Sequence, residues 1–150
     1  MLTWYYDKNI AIEFSYKPSV GVRYPLPSMS EEQIKSIKQY PFINRKELYV
    51  ELSDCQNGVT YTFTIPKGYC WNGSDIPRIF WAIIGSRTDP QYLVASCLHD
   101  YMLENKSYIE YNKRFTSDIF YGCLVAAKVG KIKAKIMAEA VNIYQSFQDW

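Results

Sequence analysis

Histidine is almost absent: the 150 residues hold one, His99. A metal centre built on several imidazoles is therefore excluded. Cysteine is sparse as well. The four, Cys55, Cys70, Cys97 and Cys123, never form a CxxC pair, so finger spacing is missing. Cys97 and Cys123 lie in apolar helical patterns and read as small core residues. Cys55 has no second histidine or evident base to activate it, which argues against a thiol nucleophile. A reduced compartment is the simpler expectation. No stretch nears the ~20 apolar residues that a bilayer crossing needs, so no transmembrane segment is expected. The start, Met1 to Asp7, has neither a basic cluster nor an apolar run, and no signal peptide is expected. Net charge is only +2. The densest basic cluster, Lys128, Lys131, Lys133 and Lys135, reads as a solvated face, which leaves no strong nucleic-acid signal. Repeats, low-complexity tracts and long linkers are lacking too, so a single domain over 1–150 is expected.

What is present is apolar and aromatic. Hydrophobic residues make up 48% of the chain and tyrosines number 14. A packed core is affordable, and disorder is not expected. Tyrosine joins an apolar body to a polar tip, which suits clefts and interfaces, though aromatic-rich strands account for the count equally well.

The first half reads as strands and loops. Ile10–Phe14 and Val20–Tyr24 are strand candidates, the second closed by Pro25 and Pro27. Ser30-Glu31-Glu32-Gln33 is a capping box, which predicts a short helix from Glu31 to about Tyr40, stopped by Pro41. Leu48–Leu52 and Val59–Ile65 flank Gln56-Asn57-Gly58 and predict a hairpin. In the second of these strands Val59, Tyr61, Phe63 and Ile65 share a face, and threonines alternate with them. The second half predicts helices: a short one from Pro77 to Ile84, one capped by Thr88 or Asp89 and running from Pro90 to about Glu104, one from about Asn112 to Lys128, and one from Lys131 to Phe147. The last carries an apolar stripe, Ile132, Ile136, Ala140, Ile143 and Phe147, at helical spacing. Strands followed by helices give an α+β fold: N-terminal antiparallel strands with a short helix, then a bundle of three to four helices.

Chemistry concentrates at His99, which Asp100 follows directly. On a helix the two point about 100° apart and serve different partners. The neighbours of His99 on its face, Ala95, Ser96, Met102 and Leu103, are small or apolar, so the imidazole is expected to be shielded. A shielded histidine acts as a base near neutral pH if another group fixes its tautomer. Asp118, midway along the next helix among Phe115, Ile119 and Gly122, is the candidate for that group. Gly122 would let a neighbouring helix approach closely. The loop Gly68–Pro77 ends in Asp75, which with Asp100 would make an oxygen-rich site for a hard cation such as calcium. Each residue also has a structural reading. Asp75 is well placed as a helix cap, Asp100 as a surface acid or a partner for Arg78 or Arg114, and His99–Asp118 as a hydrogen bond between helices.

The run Phe63–Tyr69, then Asn72–Arg78, Leu98-His99-Asp100-Tyr101, Asn112-Lys113-Arg114 and Ser117–Phe120 resembles, in that order over about residues 59–147, the domain of unknown function 1353. That family's setting is phages and prophages. Tyr69 replaces a Phe of its pattern, Asp75 sits next to Ile76-Pro77-Arg78 instead of several residues ahead of the proline, and Leu103 stands where a Tyr is expected. A more local resemblance joins Cys97–Tyr101 and Asn112–Phe120 to the helix pair of prokaryotic-type secreted phospholipases. It implies His99 as base, Asp100 as calcium ligand and Asp118 as orienter. The disulfides that flank that pair in those enzymes are not evident. Two functions stay open: a phage-encoded hydrolase of esters or lipids that uses the His-Asp centre, with calcium as a candidate cofactor, or a non-enzymatic virion or tail-associated protein. The implied partners are other virion proteins or a host factor, and the implied location is the host cytoplasm or the virion.

Overall fold

A computed structural model describes residues 1–73 and 90–147. In chain order its strands are β1 (Leu2–Tyr6), β2 (Ile10–Phe14), β3 (Val20–Val22), β4 (Phe42–Asn44), β5 (Leu48–Asp54), β6 (Val59–Ile65) and β7 (Cys70–Trp71). Its helices are α1 (Glu31–Gln39), α2 (Pro90–Glu104), α3 (Lys113–Ala126) and α4 (Lys131–Ser146), with a single helical turn at Lys106–Ile109. The α+β expectation holds: antiparallel sheets and a short helix come first, then a bundle of three helices. The predicted helix from Pro77 to Ile84 and the cap at Thr88 or Asp89 lie outside the described residues, as does Asp75.

Period-two alternation builds the larger sheet, ordered β1-β2-β5-β6 and antiparallel throughout. Ile12 pairs with Leu52, Phe14 with Val50, and Val50 with Phe63, so one face is continuous and apolar. Ile12, Phe14, Val50 and Leu52 are fully buried, each stabilising the fold by roughly 1.5–3 kcal/mol relative to exposure. The opposite face carries Glu13, Glu51 and the threonines. The β5–β6 hairpin closes through Cys55–Gly58, a four-residue loop. Asp54 holds it by accepting from the Asn57 backbone at 3.2 Å and from Asn57 Nδ2 at 2.8 Å, and Gly58 supplies the left-handed residue at φ 67°.

The smaller sheet, β3-β4-β7, contains two strands that are too short to show periodicity in the sequence. Asn44, fully buried, ties it to the larger one by donating to the Ile65 and Pro66 carbonyls at 3.2 and 3.0 Å. The N-terminal segment, read from the sequence only as lacking a leader pattern, forms β1. It pairs with β2 through an Asp7 turn whose Oδ1 accepts from the Asn9 and Ile10 amides.

Helix α1 begins with the expected capping box: Ser30 and Gln33 exchange side-chain and backbone hydrogen bonds. Helix α3 begins at Asn112, whose side chain accepts from Phe115 N at 2.7 Å. It packs on α2, α4, β1 and β2. Helix α2 is enclosed on nearly every side: Tyr92, Leu93, Ala95, Ser96, Cys97, Leu98, His99, Asp100 and Met102 are all buried.

Helix α4 forms where expected, but its largest apolar residues face outward. Ile132 is 81% and Phe147 83% exposed, and Ile136 and Ile143 are more than half exposed. The buried face is instead Ala134, Met137, Ala138, Val141 and Gln145. Small residues at Ala134 and Ala138 let α4 approach α3 closely, which a row of isoleucines would prevent.

Candidate functional site

His99 lies in the middle of α2 and is 1% exposed. Its ring packs tilted against Phe120 of α3, with centroids 5.4 Å apart. Neither ring nitrogen has a hydrogen-bond partner among the described residues. Burial penalises the imidazolium and lowers the pKa to about 4, so the ring is neutral at physiological pH. A buried polar group with no described partner is costly, which singles out His99 among the described residues as a candidate for a functional role.

Two bonds fix the backbone beside it. Trp71 Nε1 donates to Ser96 Oγ, one turn before His99, at 3.0 Å. The Gly73 amide donates to Asp100 Oδ2 at 3.0 Å. Gly73 has φ 69°, a conformation glycine adopts without strain. The segment leaving β7 is thereby pinned along one turn of α2. Tyr69, Trp71, Tyr101 and Phe63 form an aromatic wall beside that segment: Tyr69 stacks on Trp71, Tyr101 stacks on Phe63, and Tyr69 meets Tyr101 edge-on. Tyr101 also donates to the Thr64 carbonyl at 3.0 Å. The nearby Cys97 thiol is pushed up by burial and then by Asp100, which leaves it inert as a nucleophile.

The expected pairing of His99 with Asp118 does not form. Asp118 Oδ1 lies 3.3 Å from Arg114 Nε. The reason is helical phase. Phe120 is turned to His99, and Asp118, two positions earlier, points about 200° away. Gly122 does permit a close approach, but by the sheet: an added Cβ would lie 2.6 Å from Tyr5 Cδ1 and about 3 Å from Ile10 and Ile12.

Asp118 belongs to a second constellation. A cleft of about 280 Å3 is lined by Asp7, Gln56, Arg114, Asp118, Tyr121 and Lys135, among others. Arg114 forks onto Glu139 at 2.7 and 3.2 Å, and Lys135 reaches Glu139 at 3.1 Å. Hydrogen bonds from Arg114 and Lys135 hold the Glu139 carboxyl down at about 2. Burial raises Asp118, against the pull of Arg114 and Lys135. The sequence reading missed this network, although Arg114/Asp118 and Lys135/Glu139 both stand at the i,i+4 spacing of helical ion pairs.

Calcium, implied by the phospholipase resemblance, finds no donor set among the described residues. No group of three or more His, Cys, Asp or Glu side chains there is arranged to hold a metal. Asp100, the described half of the expected pair, uses Oδ2 to accept from Gly73. No described helix is long and apolar enough to cross a membrane.

Comparison with known proteins finds one family whose model covers most of this region. The model of a family described as protein of unknown function, DUF1353, matches residues 48–141, beginning at β5, earlier than the resemblance in the sequence. An uncharacterized protein, y4jT, of Sinorhizobium fredii (strain NBRC 101917 / NGR234) is 38% identical over 97 residues. That match covers 65% of this chain and 27% of the relative's length. No solved structure matches.

Proposed function

The chain belongs to the DUF1353 family, and we propose for it the hydrolysis of esters, lipid esters included, with His99 as the base. One observation carries this reading: a neutral, buried imidazole with neither nitrogen bonded among the described residues, beside a backbone segment pinned by Asp100. In the proposed step His99 takes a proton from water as the water oxygen bonds to the ester carbonyl carbon. It returns that proton to the alkoxide oxygen as the carbon–oxygen bond breaks. Asp100 acts by positioning the Gly73 segment. Asp118 takes no part in the step, since its carboxylate pairs with Arg114, and no step runs through calcium. A bacteriophage or prophage source, with action in the host cytoplasm or virion, is part of the same proposal and rests on the family resemblance.

The test is turnover on a panel of soluble and phospholipid esters by the wild type and His99→Gln, with circular dichroism to show that both fold. The expected loss in kcat/KM is about 100-fold or more. The rate should rise with pH through about 4, the value to which burial lowers His99, and then level off. Equal activity in both proteins, or none in the wild type, removes the reading. A calorimetric calcium titration of wild type and Asp100→Asn is a separate measurement.

The outward face of α4 favours a second reading, a non-enzymatic assembly protein of a virion or tail. Mass spectrometry of purified particles tests it, and absence of the chain from them would sink it.

A further inference from the structure

The apolar stripe of α4 lies about 150° round the helix from the face that packs on α3, so the core cannot absorb it. We infer that this stripe is the contact between two copies of the chain, paired antiparallel through α4 about a two-fold axis near Ala140. The inference goes beyond the hydrolase reading and does not rest on it.

Three observations carry it. The first is the symmetry of the stripe. If the two-fold axis passes between positions 139 and 140, Ile136 faces Ile143 of the second copy and Ile132 faces Phe147, each pair occurring twice. An isologous interface requires this reciprocity. The smallest residue of the stripe, Ala140, lies beside the axis, where the helices come closest, and the stripe's one ring, Phe147, lies at the edge.

The second is charge. Lys131, Lys133 and Lys135 lie in the first turns of α4, at the positive pole of its dipole. The helix has no acid in its first turn and no base in its last. Within one copy both ends are therefore poorly matched. Antiparallel pairing brings the lysine-bearing half of each copy to the carbonyl-rich end of the other, while parallel pairing would set lysine against lysine.

The third is area. At 81%, 53%, 57% and 83% exposure for Ile132, Ile136, Ile143 and Phe147, the stripe presents on the order of 500 Å2 of apolar surface per copy. Two such faces together approach the roughly 1,000 Å2 that a specific interface needs. An interface at that lower bound falls in the size class of reversible contacts and below that of obligate dimers.

The test is sedimentation equilibrium of the full chain over a micromolar dilution series. The wild type should show a reversible monomer–dimer equilibrium. Ile136→Glu and Ile143→Lys should each weaken it at least tenfold while leaving the circular dichroism unchanged, because both side chains are more than half exposed. The double variant should recover dimerisation, because position 136 of one copy meets position 143 of the other. In a parallel pair, like charges would meet and it would stay monomeric. His99→Gln should dimerise as the wild type does, which keeps this result separate from the fate of the hydrolase reading. A wild type that stays monomeric throughout, a dimer indifferent to both single changes, or a double variant that does not recover would each overturn the inference. A monomer that instead binds phosphatidylglycerol vesicles, and loses that binding in Ile136→Glu, would assign the stripe to a lipid surface and overturn it as well.

Discussion

His99 shows how one residue links the fold to pH. Its folded pKa is lowered to about 4 from 6.5, so between those values the unfolded chain binds a proton that the folded chain refuses. Stability is therefore fully present above pH 6.5, falls as pH drops toward 4 and levels off below it. Over that window the loss from this group approaches about 3 kcal/mol. Urea unfolding of wild type and His99→Gln at pH 7, 5.5 and 4 should show a steeper decline in the wild type. Parallel declines would show that the imidazole is not buried as described. The shielding of His99 was legible from its apolar helix neighbours. Its separation from Asp118 was not, because a sequence gives the phase of a residue on its own helix but not the rotation of one helix against the next.

Among the elements, α3 and the large sheet meet at Gly122, where an added Cβ would lie 2.6 Å from Tyr5 and 3.0 Å from Ile10. Gly122→Val should cost about 1–3 kcal/mol, since the overlap must displace packed side chains or the backbone. A thermal melt checks this, and an unchanged midpoint would mean that the helix does not rest on β1 and β2. On the sheet's other face Glu13 stands directly across from Glu51, an unfavourable like-charge pair. Glu13→Lys should stabilise the chain by a few tenths of a kcal/mol up to about 1 kcal/mol. The gain should shrink in high salt if it is electrostatic. Chemical denaturation at low and high salt measures both effects.

At the scale of the molecule, the two sheets and the helical layer are joined by a few buried polar bonds. Trp71, 1% exposed, packs on Phe42 with ring centroids 5.8 Å apart and donates to Ser96 on α2. Trp71→Phe keeps most of the apolar contact but leaves the Ser96 hydroxyl without this donor. A loss of about 1–3 kcal/mol follows from the unmade buried bond and the lost volume. If the same coupling holds the segment leading to Gly73 in place against Asp100, ester turnover should fall further than stability alone explains, with kcat affected more than KM. Unfolding and steady-state kinetics on one preparation separate the two contributions.

The sequence alone determined the hairpin of β5 and β6, the starts of α1 and α3, and the change from strands to helices. These depend on signals within a few residues of one another: an alternation, a Ser30–Gln33 box, and an Asn57-Gly58 turn with a glycine that tolerates positive φ. Only the tertiary structure decided which face of α4 turned inward, where Asp118 pointed and how β1, β4 and β7 found partners. Ala134 and Ala138 occupy the α3 contact because close helix approach favours small side chains there, and that displaces the more hydrophobic Ile132–Ile136–Ile143 stripe to the outside. Asp118 turned to Arg114 because Phe120 and Gly122 had already fixed the rotation of α3 against His99 and the sheet. Those choices are settled by surfaces brought together from distant parts of the chain, and no local pattern encodes them.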